Sequence, residues 1–104
     1  VGILVSSGQT SGGAQAYSTL TGVSISNNIV RRTSLEAVGV FASGGSTVSQ
    51  VVISDNTVTQ TTDSSLGYGI WLGTLYSGTV FGGSLSYVSV ANNKLSSTSS
   101  SGIY

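Results

Sequence analysis

The chain has two carboxylates at a suggestive spacing, Glu36 and Asp63, 27 residues apart. Paired carboxyl groups are what glycoside hydrolysis uses, one to protonate the leaving oxygen and one to attack the sugar or activate water. The spacing nearly equals the 28 residues that separate Asn28 from Asn56, two matching positions of an internal repeat, so the carboxylates would lie about one repeat apart. If the repeats stack as strands, that separation becomes roughly 5 Å, a retaining geometry. Counted back from the glycines of the following strands, however, Glu36 is three residues before Gly39 and Asp63 six before Gly69, which leaves their facing open. The plain alternative is that both are solvated turn residues. A polysaccharide lyase would need calcium-binding carboxylates and a positioned base, and only Asp55 and the Arg31-Arg32 pair are at hand. Those arginines are equally suited to lie along the surface or pair with Glu36.

Other chemistries are excluded by residue type. The chain has no histidine and no cysteine, which removes a Ser-His-Asp triad, a histidine metal site and a disulfide framework. Gly12-Gly13, Gly44-Gly45 and Gly82-Gly83 lack the lysine and helix of a phosphate loop and read as connections. No metal or other cofactor is expected. Three basic and three acidic residues give zero net charge, so there is no basic stripe for nucleic acid. No apolar run reaches the length of a membrane span, and Val1–Val5 is too short for a signal sequence.

The elements that must position any site are strands, because Ser, Thr, Gly, Val and Asn dominate and helix formers are few. Val23-Ser24-Ile25-Ser26-Asn27-Asn28-Ile29-Val30 is answered by Val51-Val52-Ile53-Ser54-Asp55-Asn56-Thr57-Val58 and by Val88-Ser89-Val90-Ala91-Asn92-Asn93-Lys94-Leu95. Each copy places Asn three residues after an aliphatic and a second aliphatic two further on. Between these copies runs a second element: Gly2-Ile3-Leu4-Val5, Gly39-Val40-Phe41-Ala42, Gly69-Ile70-Trp71-Leu72 and Gly102-Ile103-Tyr104, at steps of 37, 30 and 33 residues. Unequal connections on a fixed core are what stacked coils permit. The recurring aliphatics also argue against disorder.

The expected fold is therefore all-β: a right-handed single-stranded parallel β-helix, or solenoid, of about three coils. Residues 1–104 form one segment, with variable connections near 6–22, 43–50 and 73–87. Both ends fall inside the Gly-Ile strand, so the segment reads as a fragment without caps, continued by the remainder of a longer β-helix and prone to fray or aggregate alone. Stacking would turn Ile25, Ile53 and Val90 into an aliphatic column. It would turn Asn28, Asn56 and Asn93 into an amide ladder whose members also serve the left-handed turn. Asp55 reads as a turn residue.

The repeats from Val23 to Ala42 and from Val51 to Leu72 resemble the parallel β-helix repeat of the pectin-lyase-like superfamily, which includes pectate lyases, polygalacturonases and phage tailspikes. The resemblance implies an extracellular or virion-surface protein that binds polysaccharide along an outer strand face and, as the family's glycoside hydrolases and lyases do, cleaves it. The segment alone is then expected to be inactive.

Strand alternation adds a candidate for that face. With Ile3, Val40, Ile70 and Ile103 inside, their successors Leu4, Phe41, Trp71 and Tyr104 point out, and stacking would align them. Phe41, Trp71 and Tyr104 would then line a sugar-binding groove. The competing expectation is a structural shaft or adhesin stalk, in which the column is covered. The cover would be a loop carrying Leu75, Tyr76, Val80, Phe81 and Leu85, or a neighbouring subunit of a homotrimer. Ice binding would require a regular Thr array, and Thr57-Val58-Thr59 and Thr61-Thr62 are not repeated in the next coil.

Overall fold

A strand of Val, Ile and Leu alternating with Ser and Thr has one apolar face, and a narrow rod is stable only if every such face turns toward a common axis. The computed structural model has that form. It describes residues 1–8, 10–11, 14–15, 17–62, 67–75 and 82–104. The strands are β1 (Ile3–Ser7), β2 (Thr10–Ser11), β3 (Ala14–Gln15), β4 (Thr19–Ser26), β5 (Ile29–Thr33), β6 (Val38–Ser43), β7 (Thr47–Ser54), β8 (Thr57–Thr61), β9 (Ile70–Leu75), β10 (Ser84–Ala91) and β11 (Lys94–Ser96). Among the described residues, apart from the small antiparallel β2–β3 pair and an isolated antiparallel bridge between Ser43 and Gly82, the pairing is parallel, in three sheets ordered β1-β6-β9, β4-β7-β10 and β5-β8-β11. Each strand thus stacks on its equivalent in the next coil, and about three coils of a parallel β-helix result.

The inward columns are those of the repeat. Ile25 pairs with Ile53 and Val90, Val23 with Val51 and Val88, and Val30 with Val58 and Leu95. In the middle coil Val38, Val40, Val48, Val51, Ile53 and Val58 are fully buried. Burial of side chains this size contributes about 1.5–3 kcal/mol each, so the middle coil carries most of the hydrophobic stabilisation.

The corners are set by left-handed residues that recur every five positions. Gly22, Asn27 and Arg32 have φ between 55° and 74°; Gln50, Asp55 and Gln60, and then Tyr87, Asn92 and Ser97, repeat them in the next two coils. Each such residue interrupts the two-residue alternation, so the inward positions step by three across a corner and by two along a strand: Leu20, Val23, Ile25, Asn28, Val30. The aliphatic–Asn–aliphatic signature of the sequence is this polygon written along the chain.

Three expectations are corrected. First, the ladder asparagine is not the turn residue: the left-handed conformation falls on its predecessor, Asn27, Asp55 or Asn92, which frees the ladder side chain to point inward. Second, the connections are shorter than 6–22, 43–50 and 73–87, because β4, β7 and β10 begin at Thr19, Thr47 and Ser84. Each of these leading segments offers one inward aliphatic, Leu20, Val48 or Leu85, before a corner, too short a pattern to read as a strand. Third, Ile3, Ile70 and Ile103 share one register as expected, but Gly39 is shifted by two residues from the other glycines of the Gly-Ile strand. Val38, not Val40, pairs with Ile3 and Ile70, and Gly39 pairs with Leu4 and Trp71. This register sets Val38 on Ile70 and Val40 on Leu72. The expected one would have set Val38 on Tyr68 in the neighbouring coil.

Candidate functional site

The two-residue shift decides the arrangement on the outer face of the β1-β6-β9 sheet. Phe41 and Trp71 still point outward, since a shift of two preserves facing, but they are not stacked in one column. Phe41 lies opposite Gly73 and Trp71 opposite Gly39, so each ring faces a glycine on the neighbouring strand. The two rings meet diagonally, edge to face, with centroids 4.9 Å apart and planes at 85°. The Phe41 ring leans over Gly39, where a Cβ would come within 2.8 Å of Phe41 Cε2. Small residues at these two places let two bulky rings share adjacent strands.

Tyr104 is held beside β9 by backbone bonds, its N–H donating to the Ile70 carbonyl (2.9 Å) and its carbonyl accepting from the Leu72 N–H (2.9 Å). Its ring centroid is 6.1 Å from that of Trp71. A fourth ring joins the group. Tyr68 stacks on Tyr104 at 4.7 Å with planes 19° apart and lies 5.2 Å from Trp71. Tyr68 was missed because it shares the parity of the inward Ile70; the turn before β9 breaks that alternation. The signal available was its place two residues ahead of Ile70, just before the strand.

Exposure sorts the rings. Tyr104 is 63% exposed, Trp71 and Tyr68 are half-buried, and Phe41 is 4% exposed. Phe41 therefore backs the cluster from beneath Trp71 and presents no face of its own. The open rings are Tyr68, Trp71 and Tyr104. Leu4, in the same column as Trp71, is exposed as well.

Glu36 is brought to this cluster. The Ala37 N–H donates to the Tyr68 carbonyl (3.0 Å), which sets Glu36 next to Tyr68 in the stack. Its Cγ and the Phe41 ring converge over Gly39. Glu36 is 4% exposed, so its side chain is buried beside Phe41 and not displayed with the other rings. Asp63, its expected partner, lies outside the described residues, as do Tyr76, Val80 and Phe81 of the expected covering loop. Leu85, expected in that loop, points into the core from β10. Asp55 occupies an exposed left-handed corner away from these rings.

The asparagines form a hydrogen-bonded ladder at another corner. Asn56 Oδ1 accepts from the Asn28 N–H (3.0 Å) and Asn28 Nδ2 (3.0 Å), and Asn93 Oδ1 accepts from the Asn56 N–H (3.0 Å) and Asn56 Nδ2 (2.9 Å). Asn56 Nδ2 also donates to the Ile25 carbonyl (2.9 Å) and Asn93 Nδ2 to that of Ile53 (2.8 Å). The amides tie each coil to the next and close the corner. A serine cluster does the same elsewhere: Ser7 and Ser18 hydroxyls lie 2.6 Å apart, and Ser46 Oγ, nearly fully buried, accepts from the Ser18 N–H (2.9 Å).

Among the described residues there is no group of three or more His, Cys, Asp or Glu side chains able to hold a metal ion, and no helix is long and apolar enough to cross a membrane. What the β1-β6-β9 face offers chemically is a cluster of mutually tilted aromatic rings that carries two phenol hydroxyls and an indole N–H. Comparison with known proteins found no match to the chain, whether family model, curated protein or solved structure.

Proposed function

We propose that this chain is a segment of an extracellular or virion-surface β-helix protein, of the pectin-lyase-like kind, that binds polysaccharide through Tyr68, Trp71 and Tyr104. The observation that carries the reading is the cluster itself. Three of the chain's eight aromatic residues, one exposed and two half-buried, meet ring to ring on one sheet face, with Phe41 against Trp71. Aromatic side chains ordered in advance lose little entropy when a ligand settles on them.

Trp71 is the only tryptophan, which makes its emission a direct reporter. Titration with hexasaccharides of several backbones, neutral and acidic, is expected to shift Trp71 emission saturably. Trp71→Ala and Tyr68→Ala variants that keep the native circular dichroism should lose binding at least tenfold in an isothermal titration. No response to any member of the panel would sink the platform.

A second reading, the structural shaft, draws support from the burial of outward-pointing Phe41. In that reading a neighbouring subunit completes the cover over Trp71. Concentration-dependent protection of Trp71 from acrylamide, in step with a trimer in sedimentation, would favour it. Cleavage receives no such support, because Glu36 lies beneath the rings and not among the open ones.

A further inference from the structure

We infer that the ligand of the Tyr68–Trp71–Tyr104 face is an uncharged glycan, and that acidic sugars are rejected there. This rests on the platform reading and narrows it. The strands of the face read Ile-Leu-Val-Ser-Ser, Val-Gly-Val-Phe-Ala-Ser and Ile-Trp-Leu-Gly-Thr-Leu, without a charge among them. All three cations of the chain, Arg31, Arg32 and Lys94, belong to β5 and β11. Arg31 is in register with Thr59, and Lys94 with Thr57, on the β5-β8-β11 sheet, which does not carry the rings.

The ionisable side chain that does adjoin the rings is an acid and not a base. Glu36 packs over Gly39 beside Phe41 and next to Tyr68 in the stack, screened from water by the side chains that bury it. A polyuronate bound here would lose hydration without gaining a cation in return. Nor do the described residues supply a carboxylate cluster for a bridging divalent ion. The polar groups that the face does offer are hydroxyls, those of Tyr68, Tyr104 and the exposed Ser6, which pair with sugar hydroxyls at no electrostatic cost. The inference departs from the acidic substrates that the pectin-processing relatives of this fold would suggest.

The test separates charge from backbone. Hexagalacturonate and its fully methyl-esterified, neutral form are titrated into the 104-residue chain, alongside neutral hexasaccharides of glucose, mannose and xylose, with Trp71 emission as readout. The expected result is that at least one neutral ligand binds ten times or more tighter than hexagalacturonate, and that the esterified form binds tighter than the acid. Neutral binding should be unchanged between 20 and 500 mM salt. Equal or tighter binding of the acid, or binding that weakens when Arg31 is changed to Gln, overturns the inference and leaves the platform standing. Silence toward every sugar overturns both.

Discussion

Asn56→Ala probes the rod where each coil is tied to both neighbours. Asn56 is fully buried, and its side chain accepts from the Asn28 N–H and Asn28 Nδ2 and donates to Asn93 Oδ1 and the Ile25 carbonyl. A net hydrogen bond is worth about 1 kcal/mol, and a buried group left unpaired costs about 1–3 kcal/mol. Losing these bonds, with the Asn28 N–H and Ile25 carbonyl stranded and water entering in part, should cost about 4 kcal/mol. Asn28→Ala is the internal control. It removes only the donations from Asn28 Nδ2 to Asn56 Oδ1 and to the Ser26 carbonyl, at a half-exposed position where water substitutes, and should cost about 1 kcal/mol. With a urea slope of about 1–3 kcal/mol per molar, Asn56→Ala is expected to lower the unfolding midpoint by roughly 2 M, followed by circular dichroism and Trp71 emission. Equal losses from the two variants, or a shift below about 0.5 M for Asn56→Ala, would refute the ladder as a source of stability.

Asn56→Asp keeps the accepting oxygen but turns the donating nitrogen into an oxygen facing Asn93 Oδ1 and the Ile25 carbonyl, and it buries a charge. Burial and acceptor neighbours raise the folded-state pKa of such an aspartate above its unfolded value. Its protonated form therefore supports the fold below about pH 4, and stability should fall as pH rises through the interval between the two pKa values; a pH-independent urea midpoint would contradict this. Gly39→Ala is expected to cost about 1–3 kcal/mol and to shift Trp71 emission, because the added carbon meets the Phe41 ring and Glu36 Cγ. Gly22→Ala meets nothing within 4 Å, and its cost of about 1 kcal/mol comes only from its φ of 74°, leaving Trp71 emission unchanged. Gln60→Asn, at an exposed corner with φ 66°, should raise thermal stability by about 0.5 kcal/mol, since asparagine adopts that conformation more readily.

Much of the rod was legible because its core columns are local in sequence. Ile25, Asn28 and Val30 stand a few residues apart, and their copies keep the same spacing, so one coil predicts the next. The face with the rings was less legible. Its strand is connected to the neighbouring elements by segments of differing length, and nothing in Gly39-Val40-Phe41 compared with Gly69-Ile70-Trp71 reveals a shift of two. The shift preserves which residues face outward, so Phe41 and Trp71 were correctly read as outward while their alignment was not. Tyr68 and the packing of Glu36 depend on a turn whose geometry has no periodic signature.

From sequence alone one obtains a parallel β-helix, its aliphatic columns and the three asparagines, because each follows from a repeated inward pattern that only stacking can bury. The tertiary structure decided which outward rings meet, that Phe41 is covered while Tyr68 is half-buried, and that Glu36 lies beside Phe41 over Gly39. Those are properties of register and of neighbouring coils. A period of two along a strand carries facing but not the offset between strands, and that offset is selected by packing Val38 on Ile70 and seating each ring opposite a glycine.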